Sequence, residues 1–452
     1  MLTHAWHWIR FYILILLVGV VAGLGAIFFR ELIAFFHNLF FYGQFSLFYD
    51  VLQHAKPSRF GMGIVFAPVI GAFFVAYLVS HFAKEARGHG VPEVIDAIYY
   101  ERGVIRPIVA LIKALASSIS IGSGGSIGRE GPIIQIGAAF GSTLGQWIKI
   151  PDWQRITLIA CGAGGGIAAT FNTPLGGILF AFEIMLPELS ARTVIPVSIG
   201  TAIATYTSYF YFGNVPFIPA MIQVDMTMNI IDMMIYLILS VLIGVMSTLF
   251  IRTIYFTEDC FDRLSEHYYI RHMFGMFLVG ISMVVMMQMF GHYYIQGVGY
   301  ATIFDVLTNM LIHPWFLLFL AFLKLVDTAI TLGSGGSGGI FSPLLFMGAT
   351  LGASIGGVAQ IIFPETHLNL PLGALFGMAG MVGASTAAPI TAIIMTAELT
   401  NNYQIILPLM VIVAIAYAVR RLMIKDSVYT LKLTRRGHGI PDVFQTNLKV
   451  MR

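Results

Sequence analysis

The sequence predicts an all-α protein that crosses a membrane many times, and three observations lead there. Hydrophobic residues make up 58% of the 452 positions and charged residues only 10%, well under half the share of about 25% usual in globular domains. Apolar runs long enough to span a hydrocarbon core about 30 Å thick, roughly 20 residues each, recur along the chain. The remaining apolar sequence is broken by glycine and proline, most visibly in a glycine-rich loop that occurs twice. The formal net charge of +3 is too small to suggest a nucleic-acid surface.

Taken in order, the first apolar run, about 11–36, is too long for a signal-peptide core and lacks a clear small-residue cleavage site, so it reads as a membrane helix. Further spanning runs lie near 61–82, 194–212, 230–252, 273–290, 314–332 and 404–419. Between them, 104–121, 130–148, 156–186, 343–363 and 371–399 read as short, interrupted segments. Such breaks are tolerated at membrane depth only where protein or a water-filled cavity surrounds them. The expected organisation is one transmembrane domain over 1–452: a first half of about 11–212, a second of about 230–419, and a final helix and tail at 420–452, with no soluble regulatory domain. Arg420, Arg421, Lys425, Lys432, Arg435 and Arg436 put that tail in the cytoplasm by the positive-inside rule. The amino terminus offers only Arg10 and two histidines. Cys161 and Cys260 are expected to be buried free thiols, since neither a disulfide framework nor a cysteine metal site follows from two cysteines in apolar surroundings.

The glycine loop is Gly122-Ser-Gly-Gly-Ser-Ile-Gly-Arg-Glu-Gly-Pro132, and its second copy is Gly333-Ser-Gly-Gly-Ser-Gly-Gly-Ile-Phe-Ser-Pro343, displaced by 211 residues (333 − 122). Lys113 pairs with Lys324 at the same offset, and Gly137, Ala138 and Gly141 with Gly348, Ala349 and Gly352. Farther on, Pro174–Glu183 corresponds to Pro389–Glu398. Paired broken segments in two halves point to a binding site near the membrane midplane. Whether the halves run parallel or inverted is open at this level.

Glycines let several main-chain N–H groups converge on one point, and a helix starting just beyond adds the positive end of its dipole. Pro132 and Pro343 suit the first turn of such helices. Two helix starts brought together make an anion site from partial charges, weak enough for an ion to leave. The bland alternative is a close-packing seam of small residues. A phosphate loop is excluded because Gly128 is followed by Arg129-Glu130, not Lys-Ser/Thr.

Glu130 separates the copies; its counterpart is Phe341. A carboxylate at a helix start in apolar sequence is costly and usually functional. It can take the place of a mobile anion and be released by protonation, or it can simply cap the helix. Arg129 is either a charge at the pathway mouth or Glu130's partner. A third glycine signature, Gly88-His-Gly-Val-Pro92, opens another helix. His89 there is a proton-responsive element or, more commonly, a polar loop residue whose backbone matters more. A membrane-embedded hydrolase would need a nucleophile with a base, or a metal set. The chain has His4, His7, His37 and His54 near its start but no H-E-x-x-H or G-x-S-x-G, so no enzyme is expected. A cation transporter would need carbonyl or carboxylate cages, whereas these loops favour exposed amides.

These residues resemble the CLC family of chloride channels and proton-coupled chloride exchangers, of the prokaryotic type without added regulatory domains. Gly128-Arg-Glu-Gly-Pro132 is similar to its GREGP motif, Gly339-Ile-Phe-Ser-Pro343 to GxFxP, Gly88-His-Gly-Val-Pro92 to GSGIP, and Ser427-Val-Tyr429 to the tyrosine segment of its last helix. The resemblance implies about eighteen tilted or re-entrant helices in two inverted halves, and a homodimer with one pathway per subunit. It also implies a multi-pass protein of the prokaryotic inner membrane with both termini cytoplasmic. Chloride or a similar small anion, alone or with protons, is then the cargo, with lipid as surroundings, and no cofactor, metal or nucleic acid is implied. Glu130 becomes the gate. The anion-binding set becomes Gly88, His89, Gly90, Arg129, Glu130, Gly131, Gly339, Ile340, Phe341, Ser342 and Tyr429.

Two departures from the family pattern matter. His89 stands where serine is usual. Along Phe182-Glu183-Ile184-Met185, Glu183 matches the first of two adjacent glutamates of exchangers and Ile184 occupies the internal proton-transfer position. Isoleucine relays no protons, and Glu183 has a repeat mate in Glu398 that suggests a structural role. The expectation is therefore passive chloride conduction gated by Glu130 with weak or no proton coupling. The alternative is a proton/chloride exchanger using another proton route.

Overall fold

Residues 2–186, 189–218 and 229–440 are described by the computed structural model. Among them 17 α-helices and no β-strand occur. The first half holds α1 (Leu2–Tyr42), α2 (Phe66–His81), α3 (Val91–Tyr99), α4 (Ile108–Gly122), α5 (Glu130–Ile148), α6 (Asp152–Phe171), α7 (Pro174–Phe180) and α8 (Ala191–Phe212). The second holds α9 (Ile230–Leu264), α10 (Tyr268–Phe290), α11 (Tyr300–Leu307), α12 (Pro314–Gly333), α13 (Phe341–Ile362), α14 (Leu370–Thr386), α15 (Pro389–Thr400), α16 (Ile406–Met423) and α17 (Thr430–Arg435). Seven helical stretches are long and apolar enough to cross a membrane.

Three segments expected to be broken are continuous, the shortest being the 15-residue α4 that takes up most of 104–121. Residues 130–148 form the 19-residue α5, and 341–362 form the 22-residue α13, itself one of the seven spans. Their glycines fall at helical spacing and face a partner helix instead of interrupting the chain. Gly137 lies backbone to backbone on Gly162 of α6, and Gly348 on Gly377 of α14, where a Cβ would collide with the opposite carbonyl. This is the close approach that small-residue seams provide. The breaks do appear where a helix pair is split by Thr173-Pro174 and by Ala388-Pro389. Cys161 is buried as expected, but Cys260 is exposed: it lies near the end of the long α9, on a different face from the buried Phe261.

The halves carry matching histidine anchors on their repeat mates. A strap of residues 43–57 follows α1 and covers one face, where His54 Nε2 lies 2.8 Å from Asp305 of α11. The segment 424–440 covers the other face, where His438 Nδ1 lies 2.6 Å from Asp96 of α3. Asp96 and Asp305 are 209 positions apart (305 − 96), and each anchors a histidine from the strap on its own face.

Candidate anion site between the repeats

The three glycine segments meet. Gly128 N donates to Gly339 O (2.7 Å) and Gly339 N to Gly128 O (2.6 Å), while Gly88 N donates to Gly336 O (2.9 Å) and Gly338 N to Gly88 O (3.2 Å). Gly131 fits only because it has no side chain: a Cβ there would strike His89 O and come within 3.0 Å of Gly339 Cα. These bonds bring the starts of α3, α5 and α13 to one place. A fourth start joins them. Gly297-Val-Gly299 precedes α11 as Gly88-His-Gly90 precedes α3, and Gly90 and Gly299 share a left-handed φ of 84° and 81°, a conformation glycine adopts without steric cost.

Two buried lysines hold these loops in matching fashion. Lys113 Nζ donates to Ala86 O (3.0 Å) and Gly88 O (2.6 Å), and Lys324 Nζ to Ile295 O (2.8 Å) and Gly297 O (2.7 Å). The pairing of these lysines in the sequence thus has a structural meaning: each ties down the loop before a helix start. Buried carbonyls left without such donors cost about 1–3 kcal/mol each.

Glu130 is fully buried and its carboxylate lies at the start of α13. Ser342 N donates to Oε2 (3.2 Å), Ser342 Oγ lies 2.6 Å from both oxygens, and Tyr300 OH donates to Oε1 (2.5 Å). Hydrogen bonds to an ionised acceptor are about twice as strong as neutral ones. The side chain therefore occupies the position where amide and hydroxyl donors converge. Arg129 is not its close partner: Nε stands 3.9 Å from Oε1, and the guanidinium lies over the rings of Phe217 (5.3 Å) and Tyr300 (5.4 Å). Arg129 is 3% exposed, and its Nε and Nη2 have no hydrogen-bond partner.

Ile340 and Phe341 are buried beside Glu130, with the Phe341 ring 5.7 Å from that of Phe171. On the tail side, the His89 and Tyr429 rings are 5.7 Å apart, both buried, and neither His89 nitrogen has a partner. Lys432 Nζ lies against Gly88 and pairs with Glu93 (3.1 Å), which Arg436 also grips at 2.8 Å. Burial alone would raise the Glu93 carboxyl, but Lys432 and Arg436 override it and hold it down at about 2.

Glu183 is elsewhere occupied. Its oxygens accept from Ile390 N (3.0 Å), Thr391 N (2.7 Å) and Thr391 Oγ1 (2.6 Å) at the start of α15, while Glu398 accepts from Leu175 N (3.0 Å) and Gly176 N (2.7 Å) at the start of α7. Each glutamate caps the other half's helix. Ile184 packs partly buried against the core. The histidines are not gathered either: His37 lies between Phe41 and Tyr49, His54 pairs with Asp305, and the side chains of His4 and His7 lie outside the described residues.

Sequence reasoning missed Tyr300, Lys324's loop and Lys432. The Gly-x-Gly at 297–299, offset by 209 from that at 88–90, was the available signal for the first two. Nothing local marked Lys432, whose partners lie more than 300 positions away.

The sequence matches the family model described as voltage gated chloride channel over residues 71–421. It is 33% identical over 374 residues to the H(+)/Cl(-) exchange transporter ClcA of Vibrio parahaemolyticus, covering 80% of this chain and 78% of that protein. To the ClcA of Salmonella typhi it is 30% identical over 405 residues, covering 87% and 82%. The fold superposes on the structure of a slow cyanobacterial Cl-/H+ antiporter with a TM-score of 0.80 at 25% identity, covering 94% of this chain and 98% of that one. It also superposes on a CLC-type fluoride/proton antiporter with a TM-score of 0.78 at 23% identity over the same shares, a likeness of fold alone. These relatives bear the names of exchangers, so they favour the exchanger alternative over the channel expected from Ile184. With the three glycine segments joined by backbone hydrogen bonds beside one buried carboxylate, and with these matches, the chain is a membrane transport protein, not an enzyme, and belongs to the voltage-gated chloride channel, or CLC, family.

Proposed function

We propose that the protein exchanges chloride for protons across the membrane, with the Glu130 carboxylate as the moving gate. The observation that carries this reading is the seat of Glu130: a buried carboxylate held by Ser342 N, Ser342 Oγ and Tyr300 OH at a helix start. A chloride ion suits the same donors, so side chain and ion compete for one seat. Protonation removes the carboxylate's charge and frees the seat. Gly88, Gly90, Gly131, Gly339, Ile340 and Phe341 supply backbone to the pathway, and Tyr429 and the unpartnered His89 flank its tail-side portion. Glu183 is committed to capping α15, so the proton reaches Glu130 by water or by a group other than Glu183. Arg420, Arg421, Lys425, Lys432, Arg435 and Arg436 support a cytoplasmic tail face by the positive-inside rule. The family likeness supports a homodimer in a prokaryotic inner membrane.

The test is paired flux in proteoliposomes. A chloride gradient should drive protons uphill in the opposite direction, read with an internal pH dye. Chloride flux with no accompanying proton movement would replace this reading with passive conduction, the second reading, which the cap role of Glu183 beside Ile184 favours.

A further inference from the structure

The approach to Glu130 from the 43–57 face has a feature that gating does not use. An open bowl of about 690 Å³ lies there, lined by Arg30, Tyr49, Val51, Phe171, Tyr211, Phe217 and neighbours. Its carboxylates are engaged locally: Glu31 accepts from Tyr211 OH (2.7 Å), and Asp50 from Leu52 N (3.0 Å) and Gln53 Nε2 (2.9 Å). Beside the bowl, sharing Arg30, Tyr49 and Val51 with it, is a throat of about 10 Å³ traced by the centre of a water-sized sphere, room for a single small particle. Arg30 and Arg129 both line this throat, with His37, Gln296 and the Gly297 loop, and no carboxylate does among the described residues.

Both guanidiniums are under-used. Arg129 is 97% buried by its 3% exposure, yet Nε and Nη2 are unpartnered. Arg30 makes no hydrogen bond or ion pair among the described residues and lies over the Phe212 ring at 4.5 Å. The buried donors of Arg129 are costly unless a ligand completes them, and the half-buried Arg30 lines the same throat.

We propose that Arg30 and Arg129 form a loading site for one small monovalent anion, where the ion waits before it displaces the Glu130 carboxylate. The inference rests on the transport reading. It adds a site beside the Glu130 seat, and it assigns to Arg30, in no motif, control over capture from this face. The two arginines attract; the seat beyond them, built of amides and hydroxyls, binds more weakly and passes the ion on.

The experiment measures flux in planar bilayers with chloride varied on one face at a time, ionic strength held with an impermeant salt. In Arg30→Gln the half-saturating chloride should rise about tenfold on one face only, the loss expected from one charged hydrogen bond, with the effect in KM and not in the saturating rate. Arg30→Lys should recover most of it. Arg59→Gln removes a charge from the same face outside the throat and should change neither value. An unchanged KM in Arg30→Gln, an equal rise on both faces, or a matching rise in Arg59→Gln would each overturn the loading site. Absence of chloride-dependent flux in the unaltered protein would instead overturn the transport reading, so the two failures are distinct.

Discussion

The two repeats use one scaffold to different ends. In each, a buried lysine holds a Gly-x-Gly loop, a glycine-rich segment turns into a helix start, and a small-residue seam locks that helix to the next. At the first position of α5 stands Glu130, and at that of α13 stands Phe341; before them stand Arg129 and Ile340. The first half thus brings the charges and the second the wall and the donors that hold the carboxylate, Tyr300 OH, Ser342 Oγ and Ser342 N. Duplicated backbone makes a symmetric cradle cheaply, because it depends on glycine geometry. Function then needs only a few side-chain differences set into it.

The largest expected effect comes from erasing the main difference. Glu130→Gln keeps the shape and removes the charge, so chloride flux should lose its pH response and proton movement should stop, read in the same liposomes. Persistence of the full pH response would move the gate elsewhere.

The shared scaffold is tested next. Lys113→Met and Lys324→Met each strand two buried carbonyls and should each lower thermal stability in detergent by about 2–4 kcal/mol. Lys324→Met, which frees the loop before Tyr300, should also alter the chloride dependence of the gate. Gly131→Ala should cost about 1–3 kcal/mol or more by overpacking, whereas Gly25→Ala, with nothing within 4 Å of the new Cβ, should be neutral or slightly stabilising.

Tyr300→Phe removes one hydrogen bond to a charged acceptor, about 1.5 kcal/mol. Carboxylate and chloride lose the same donor, so the two losses offset and the half-saturating chloride concentration in the flux assay should shift by less than about tenfold. The smallest effect concerns the face straps. Glu93, outside the seven spans, is held low at about 2 against an ordinary 4.5 by Lys432 and Arg436, although burial opposes this. A depressed carboxylate stabilises fully above its unfolded value and loses that contribution as pH falls through its folded one. Glu93→Gln should therefore cost about 1 kcal/mol near pH 7, and the difference from the parent should vanish between about pH 4.5 and 2.

The sequence by itself determined the class, the duplication and the one carboxylate, Glu130, on which the proposed gating rests. A membrane demands long apolar runs, and glycine runs within them stand out because lipid tolerates no unpaired backbone. Glu130 was legible because it breaks both the repeat and the apolar surroundings. Less was legible where one residue type serves two ends. The glycines of α5 and α13 read as breaks and proved to be packing seams, since the partner helices Gly162 and Gly377 belong to are needed to tell the difference. Tyr300 looked like any aromatic residue until the chain brought it 170 positions back onto Glu130. Arg30, inside a long apolar helix, and Lys432, in a basic tail, acquire meaning only from what faces them. Tertiary structure decided those roles because a donor or a charge has no function in sequence space: its energy depends on distance and burial, and both are set by residues far away along the chain.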